Sequence, residues 1–184
     1  EGESLEVRAN AHSISGLQCW VALPESMAEI EPSFSHTKKH ELPHIIYDGV
    51  MMRLVVGEAY GFSSPVKTYS PMFYIDVVAS KGSEITVPYS EQETAIFTIS
   101  GEVIINGETF GANEFIMLEP NDGPITLLND GRFIMLGGDK FEQVPFIHWN
   151  FVSFSRARIE QAKDDWKNGR FPTIPGDNKE FIPL

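Results

Sequence analysis

The chain has only one cysteine, Cys19, among its 184 residues. A single thiol excludes an intrachain disulfide framework and any zinc or iron–sulfur site built from several cysteines. Basic residues are also few, with 14 lysines and arginines against 26 aspartates and glutamates and a formal net charge of −12. Binding to a nucleic-acid backbone needs a basic face, because neutralised phosphates release their counterions. The composition therefore predicts that nucleic acid is not a direct partner.

Long hydrophobic runs are missing as well. No stretch reaches the roughly 20 apolar residues of a membrane-spanning helix, so we expect no membrane partner. The opening residues 1–4 show neither the basic nor the apolar region of a secretory signal. Together with the lone thiol, this pattern favours a cytoplasmic location, where stable disulfides are rare.

Short β-like runs separated by turn dipeptides make up most of the chain. Many short strands at this spacing are typical of a β-sandwich or a β-barrel. The strongest hairpin signal is Asn106-Gly107, because both residues tolerate the positive φ angles of a type I′ turn. The predicted strands are residues 17–23, 50–56, 72–78, 95–100, 103–105, 115–118, 125–128 and 133–136.

Helix is predicted only near the end, over residues 156–167, between a capping Ser155 and a terminating Gly169. Its apolar stripe comprises Ile159, Ala162 and Trp166, at helical spacing. The following tail, residues 170–184, holds too many large apolar groups for a disordered segment, so we expect it to dock as an extended strap. Those groups include Phe171, Ile174, Phe181, Ile182 and Leu184.

Two groups of residues raise the question of a reactive or metal site. His36, His40 and His44 recur at every fourth position, which on one helical face could bind zinc. Pro43 interrupts such a helix, so a solvated connection is the favoured interpretation and a zinc site is the alternative. Cys19 lies in a neutral apolar run, which predicts a buried, inert thiol.

Several segments together resemble the pirin family, in the same order as in that family. The resemblance extends from about residue 15 to the C-terminus. The segments are GLQCWVALP at 16–24, AYGFSSPVKT at 59–68, WNFVS at 149–153, IEQAK at 159–163 and EFIPL at 180–184.

This resemblance implies a bicupin, a chain with two barrels of the double-sheet jelly-roll type. The sequence corresponds to the second half of such a protein. The expected fold is therefore all-β, a cupin-type double-stranded β-helix with one C-terminal α-helix and an extended tail. The implied domains are residues 1–23 as the last strand or strands of the N-terminal cupin, 24–46 as a connecting segment, 47–148 as the C-terminal cupin barrel, and 149–184 as the C-terminal helix and docking tail.

The resemblance also implies where chemistry takes place. In the family, three histidines and a glutamate of the first barrel hold iron, and some members are quercetin 2,3-dioxygenases. Those ligands precede this chain, so we expect no cofactor in it and no enzymatic activity from it alone. The complete protein would be an iron-dependent dioxygenase or a redox-linked transcription coregulator. Its expected partners are the N-terminal cupin half and a regulator or metabolic enzyme.

The second barrel has its own cupin motif, and its metal positions are emptied. With Gly82 and Gly101 on the motif glycines, Pro88 and Ser90 take the histidine positions and Thr94 takes the glutamate position. The second motif has Gly-Pro-Ile at 123–125 where another histidine should stand. We therefore assign no catalytic, cofactor-binding or metal residue to this chain.

Strand alternation predicts what fills the emptied site. Residues in phase with Thr94 point to the same side of the strand. A packed interior is favoured there, and a small-ligand cavity is the alternative. The alternative function of the chain is a module without catalysis, which binds a small ligand if a cavity is present or docks a partner protein if the interior is filled. The candidate lining residues are Pro88, Ser90, Thr94, Ile96 and Thr98.

Overall fold

The computed structural model describes residues 9–11, 13, 16–173 and 182–184. This part of the chain contains short strands, two single-turn 3-10 helices at Glu25–Met27 and Lys39–Glu41, and helix α1 at Arg156–Lys167. The strands are β1 His44–Tyr47, β2 Val50–Ala59, β3 Phe62–Ser63, β4 Met72–Ala79, β5 Glu84–Ile85, β6 Glu93–Ser100, β7 Val103–Ile105, β8 Glu108–Phe110, β9 Phe115–Leu118, β10 Ile125–Leu127, β11 Gly131–Gly138, β12 Phe146–His148 and β13 Phe151–Ser153.

Two antiparallel sheets form the barrel. The larger has the order β1-β2-β4-β11-β6-β9, with β3 paired to β2, and the smaller has the order β5-β10-β7-β8. β11 lies between β4 and β6, so chain segments cross from one sheet to the other, as in a jelly roll. The predicted all-β cupin fold with one C-terminal helix is confirmed for the described residues.

The core lies between the two sheets. Alternate residues of β4 point inward, so Phe73, Ile75 and Val77 are fully buried while their neighbours face outward. Ile125 and Leu127 of β10 close the core from the smaller sheet. Each such side chain contributes about 1.5–3 kcal/mol through burial. Apolar runs of only three to five residues can therefore hold the sheets together.

The hairpin between β7 and β8 forms as predicted. Asn106 and Gly107 have φ angles of 51° and 84°, the conformation of a type I′ turn. The Asn106 side chain also links this turn to the loop before β10, where its Oδ1 accepts from the backbone N–H of Gly123 at 2.9 Å. The turn therefore fixes both strand pairing and the end of the smaller sheet.

The predicted helix is confirmed with its boundaries. Ser155 caps α1 by accepting a hydrogen bond from the Arg158 backbone N–H, and Gly169 ends it with a φ of 63°. Ile159 and Ala162 are buried, as the apolar stripe predicts. The helix packs on the β12–β13 hairpin through an aromatic cluster of Trp149, Phe151, Trp166 and Phe171.

Part of the tail docks on the chain itself. Phe171 stacks on Phe151 with ring centroids 5.7 Å apart. Trp166 Nε1 donates a hydrogen bond to the Ile182 carbonyl oxygen at 2.9 Å. Ile174 and Phe181, which were expected to dock as well, lie outside the described residues.

Two predictions about the start of the chain are wrong. Residues 17–23 form no strand, because no strand of the described residues lies beside them to complete hydrogen-bonded pairing. Without such a neighbour the segment lies on the surface, so Cys19 is an exposed thiol and not a buried one. Strand β1 begins at His44, within the residues 24–46 that are predicted as a connecting segment, and the division into domains itself stays a prediction.

Candidate functional site

Three of the positions predicted to be emptied cupin positions lie around one small hollow. Ser90, Thr94 and Gly123 line a common hollow of about 20 Å³, closed by apolar neighbours such as Val87 and Leu118. This volume is close to that of one water molecule. Two of the five predicted lining residues, Ser90 and Thr94, therefore border one small hollow, and its equivalence to a cupin metal site stays a prediction.

The polar atoms around this hollow are mostly used within the protein. Thr94 Oγ1 donates to the Gln92 carbonyl oxygen at 3.2 Å, and Ser90 Oγ donates to a Glu91 carboxylate oxygen at 3.3 Å. Asp122 accepts from the Glu119 backbone N–H at 2.7 Å. Iron in cupins needs several imidazole ligands beside a carboxylate. The residues that line this hollow include Glu119 and Asp122 but no histidine, so a water-sized hollow with this lining does not fit iron.

Ile96 and Thr98 lie deeper, in a filled part of the barrel. Ile96 belongs to the core cluster, and the Thr98 side chain is fully buried. The Thr98 hydroxyl donates to the Gly111 carbonyl oxygen at 2.5 Å and accepts from the Glu114 backbone N–H at 2.9 Å. Pro88 is half-buried beside the hollow. A ligand cavity lined by all five candidate residues stays a prediction.

The three histidines of the connection lie on three separate elements. His36 is in a loop, His40 is in the second 3-10 helix, and His44 begins β1. His44 Nε2 accepts a hydrogen bond from Arg53 Nε at 3.1 Å. Among residues 9–11, 13, 16–173 and 182–184, no group of three or more His, Cys, Asp and Glu side chains could hold a metal ion.

A larger cleft opens beside the hollow, with a volume of about 770 Å³. Gln92 belongs to both and donates through Nε2 to Asp139 Oδ1 at 2.9 Å. Tyr69, Tyr89 and Glu58 form other parts of its wall. The cleft has an open, partly acidic mouth and lies outside the packed core.

The outer face of the larger sheet is apolar and only partly covered. Phe115 and Met117 of β9 are 60% and 58% exposed. The segment 17–23 lies along this face and leaves a cleft on each side, with volumes of about 420 and 380 Å³. Trp20 on this segment is itself 57% exposed. β9 is apolar at all four positions, and this continuous run is the sequence signal for a strand covered on both faces.

A charged cluster that the sequence analysis missed lies on the same face. Arg132 Nε and Nη2 donate to the two carboxylate oxygens of Asp76 at 2.7 and 2.9 Å, and Arg53 Nη1 approaches the same carboxylate at 3.5 Å. The hydrogen bond to Asp76 raises the pKa of Arg132. Burial raises the pKa of the adjacent Tyr74, and the Cys19 thiol and the Asp76 carboxylate raise it further.

Sheet order and the buried interface between the two sheets define a cupin-type jelly-roll domain. Residues 74–172, more than half of the chain, match the family model described as "Pirin C-terminal cupin domain". The chain therefore belongs to the pirin family.

Individual relatives agree with this assignment. A pirin-like protein of Caulobacter vibrioides is 37% identical over 179 residues, which cover 97% of this chain and 62% of the relative. A Pseudomonas aeruginosa protein provisionally named as a quercetin 2,3-dioxygenase is 32% identical, covering 91% of this chain and 52% of the relative. The crystal structure of a quercetin 2,3-dioxygenase from Acinetobacter baumannii has a TM-score of 0.79 and 27% identity, covering 90% of this chain and 56% of that one.

The chain spans about half to three-fifths of the length of these curated relatives. In the described part of the chain, α1 and the 3-10 turns are too short and polar to cross a bilayer.

Proposed function

We propose that this chain is the C-terminal half of a two-barrel pirin protein and that it completes and supports an iron-binding N-terminal cupin. The proposal assigns metal chemistry to the preceding half and a structural role to this one. The relatives are longer than this chain by an amount that leaves room for a second barrel.

The observation that carries the proposal is the apolar outer face of the larger sheet. An exposed apolar patch of this kind marks an interaction surface, because burying it removes apolar area from water. Segment 17–23 lies along this face and would connect it directly to the preceding half. That half is therefore the natural occupant of the surface.

The filled end of the barrel supports a structural role for this half and a metal-binding role for the preceding one. Ser90 and Thr94 offer neutral hydroxyls where a working cupin offers imidazole and carboxylate. Ile96 and Thr98 occupy the interior where a substrate would otherwise bind. This filled interior favours a docking surface over the alternative of an internal small-ligand site.

For the complete protein we propose quercetin 2,3-dioxygenase activity, the activity in the name of the similar Acinetobacter baumannii structure, and we propose that this activity depends on iron in the preceding half. A redox-linked coregulator role, with a transcription regulator or metabolic enzyme as partner, is the second candidate. A cytoplasmic location fits both and is part of the proposal.

The test compares the complete protein with the 184-residue chain, both purified without metal-affinity steps. We expect stoichiometric iron and quercetin cleavage in the complete protein and neither in the chain alone. Elemental analysis and oxygen consumption with quercetin measure the two quantities. Stoichiometric iron or quercetin cleavage in the 184-residue chain would contradict the proposal.

A further inference from the structure

The charged cluster on the outer face of the larger sheet holds more positive than negative charge. Arg53 lies directly opposite Asp76 in the β2–β4 register, and Arg132 reaches the same carboxylate from β11. Two guanidinium groups thus share one carboxylate. This excess of one positive charge is on a chain with a net charge of −12.

Both arginines of this cluster have guanidinium N–H groups that are not used in hydrogen bonds within the described residues. The side chain of Arg132 is 48% exposed and that of Arg53 is 22% exposed, whereas Asp76 is 11% exposed. Arg53 uses Nε for His44 and Nη1 for Asp76, and Arg132 uses Nε and Nη2 for Asp76. Within the described residues, Arg53 Nη2 and Arg132 Nη1 have no hydrogen-bond partner. The fork geometry of arginine suits a second carboxylate.

The apolar part of the face begins next to this cluster. Tyr74 lies two residues before Asp76 in β4, on the same side of the strand, and its register partner Leu136 lies four residues after Arg132 in β11. Tyr74 and Leu136 both border the clefts beside segment 17–23. A partner that covers the apolar part therefore comes close to the arginines and removes water from them. An uncompensated charge that loses its water is strongly destabilising, so the partner must supply the balancing charge.

We propose that the preceding half of the protein presents an aspartate or glutamate side chain to the Arg53–Arg132 pair. This inference rests on the proposed function, since it assumes that the N-terminal half covers this face. The carboxylate would complete an alternating cluster of two arginines and two acids at the interface. It would also fix the orientation of one barrel on the other, because bidentate arginine pairs are geometrically specific.

The experiment measures the same substitutions in two proteins, the complete protein and the 184-residue chain. Arg132→Gln removes the proposed anchor and also the contact with Asp76, which exists in both proteins. The difference between the two urea midpoint shifts therefore isolates the contact across the interface. Circular dichroism monitors unfolding, and the chain alone reports whether each variant folds.

We expect Arg132→Gln to shift the midpoint at least about twofold more in the complete protein than in the chain alone, because a buried ion pair loses more than an exposed one. Arg132→Lys should recover only part of the excess shift, since lysine lacks the fork. Lys163→Gln breaks the pair with Glu160 on α1, the helix that packs on the β12–β13 hairpin. It serves as the matched control, with equal shifts expected in both proteins.

Phe115→Ser distinguishes the two proposals. One outcome is that Phe115→Ser shifts the urea midpoint more in the complete protein while Arg132→Gln shifts it equally in both proteins. That result would mean that the halves dock on this face and that the carboxylate anchor is wrong. If neither variant shows an excess in the complete protein, the docking surface itself is wrong. An excess for Arg132→Gln that Arg132→Lys restores fully would mean binding to a diffuse anion and would also overturn the anchor.

Discussion

At the scale of single residues, two glycines share a backbone conformation and differ in their surroundings. Gly57 has a φ of 77°, and a Cβ there would lie 1.7 Å from the Met72 carbonyl oxygen of the neighbouring strand. Gly61 has a φ of 81° with no atom within 4 Å of the same position. Substitutions at Gly57 and Gly61 therefore separate two losses of folding free energy. One comes from left-handed backbone strain, and the other comes from the close approach of β2 and β4.

We expect Gly57→Ala to lower the free energy of unfolding by about 3–4 kcal/mol, because strain and steric overlap add. Gly61→Ala should lower it by only about 1–2 kcal/mol, from left-handed strain alone. Urea unfolding of both variants measures the difference. Equal losses would mean that β4 moves aside at little cost and that the close approach is unimportant.

The wrong prediction for Cys19 also belongs to this scale. The apolar run at residues 17–23 indicates a strand with a covered side, on which Cys19 would lie together with Leu17 and Val21. What decides burial is the neighbouring strand, and none of the described residues supplies one. Alternation therefore predicts which residues share a side, while the exposure of Cys19 depends on what covers that side.

At the scale of elements, α1 shows how local signals define a helix. Ser155 accepts from the Arg158 backbone N–H at 3.4 Å, and the buried Ile159 and Ala162 hold the helix against the β12–β13 hairpin. The cap satisfies a backbone donor that has no partner within the helix. Its contribution should be separable from that of the apolar contacts.

Ser155→Ala should lower the free energy of unfolding by about 1 kcal/mol, because the capping oxygen is lost. Ser155→Asp keeps an acceptor and adds a negative charge at the helix N-terminus, so it should match or exceed the parent. Thermal unfolding of the two variants checks both. If Ser155→Asp lowers the free energy of unfolding as much as Ser155→Ala does, capping is not the cause.

The elements divide into those with a local signal and those without. The long central strands and α1 follow from apolar runs, turn glycines and a capping serine. Five short strands, β1, β3, β5, β12 and β13, were not predicted, because strands of two to four residues are defined by their partners rather than by their own sequence. Likewise, aligned glycines singled out Ser90 and Thr94, which border one hollow, and their role as an emptied cupin site stays a prediction. The Asp76 cluster has no signal in the sequence, because it arises only when β2, β4 and β11 are placed side by side.

At the scale of the whole molecule, the free energy of unfolding should fall at alkaline pH. Burial raises the pKa of Tyr60 to about 12, from an ordinary value near 10, and also raises the pKa of Tyr74. A raised pKa means that the folded state holds the phenol proton more tightly. The resulting stabilisation is complete below about pH 10 and is lost as the pH rises toward 12.

We therefore expect the free energy of unfolding to fall between about pH 10 and pH 12, by at most about 1.4 kcal/mol per pH unit for each such tyrosine. Tyr60→Phe should flatten this dependence, although it also removes the hydrogen bond to the Thr86 carbonyl oxygen. Urea unfolding across the alkaline range measures the slope. A slope that is the same in parent and variant would show that Tyr60 is not its source.

The strand order has one more consequence, for copies of the molecule that meet. The outermost strands are β1 and β9 in one sheet and β5 and β8 in the other, and none is longer than four residues, while the inner strands β2, β4, β6 and β11 have eight to ten. If a second copy paired one of its strands with such a short edge strand, it would gain only a few backbone hydrogen bonds. The short edge strands therefore disfavour fibre-like polymerisation, even when the apolar outer face of the larger sheet is uncovered.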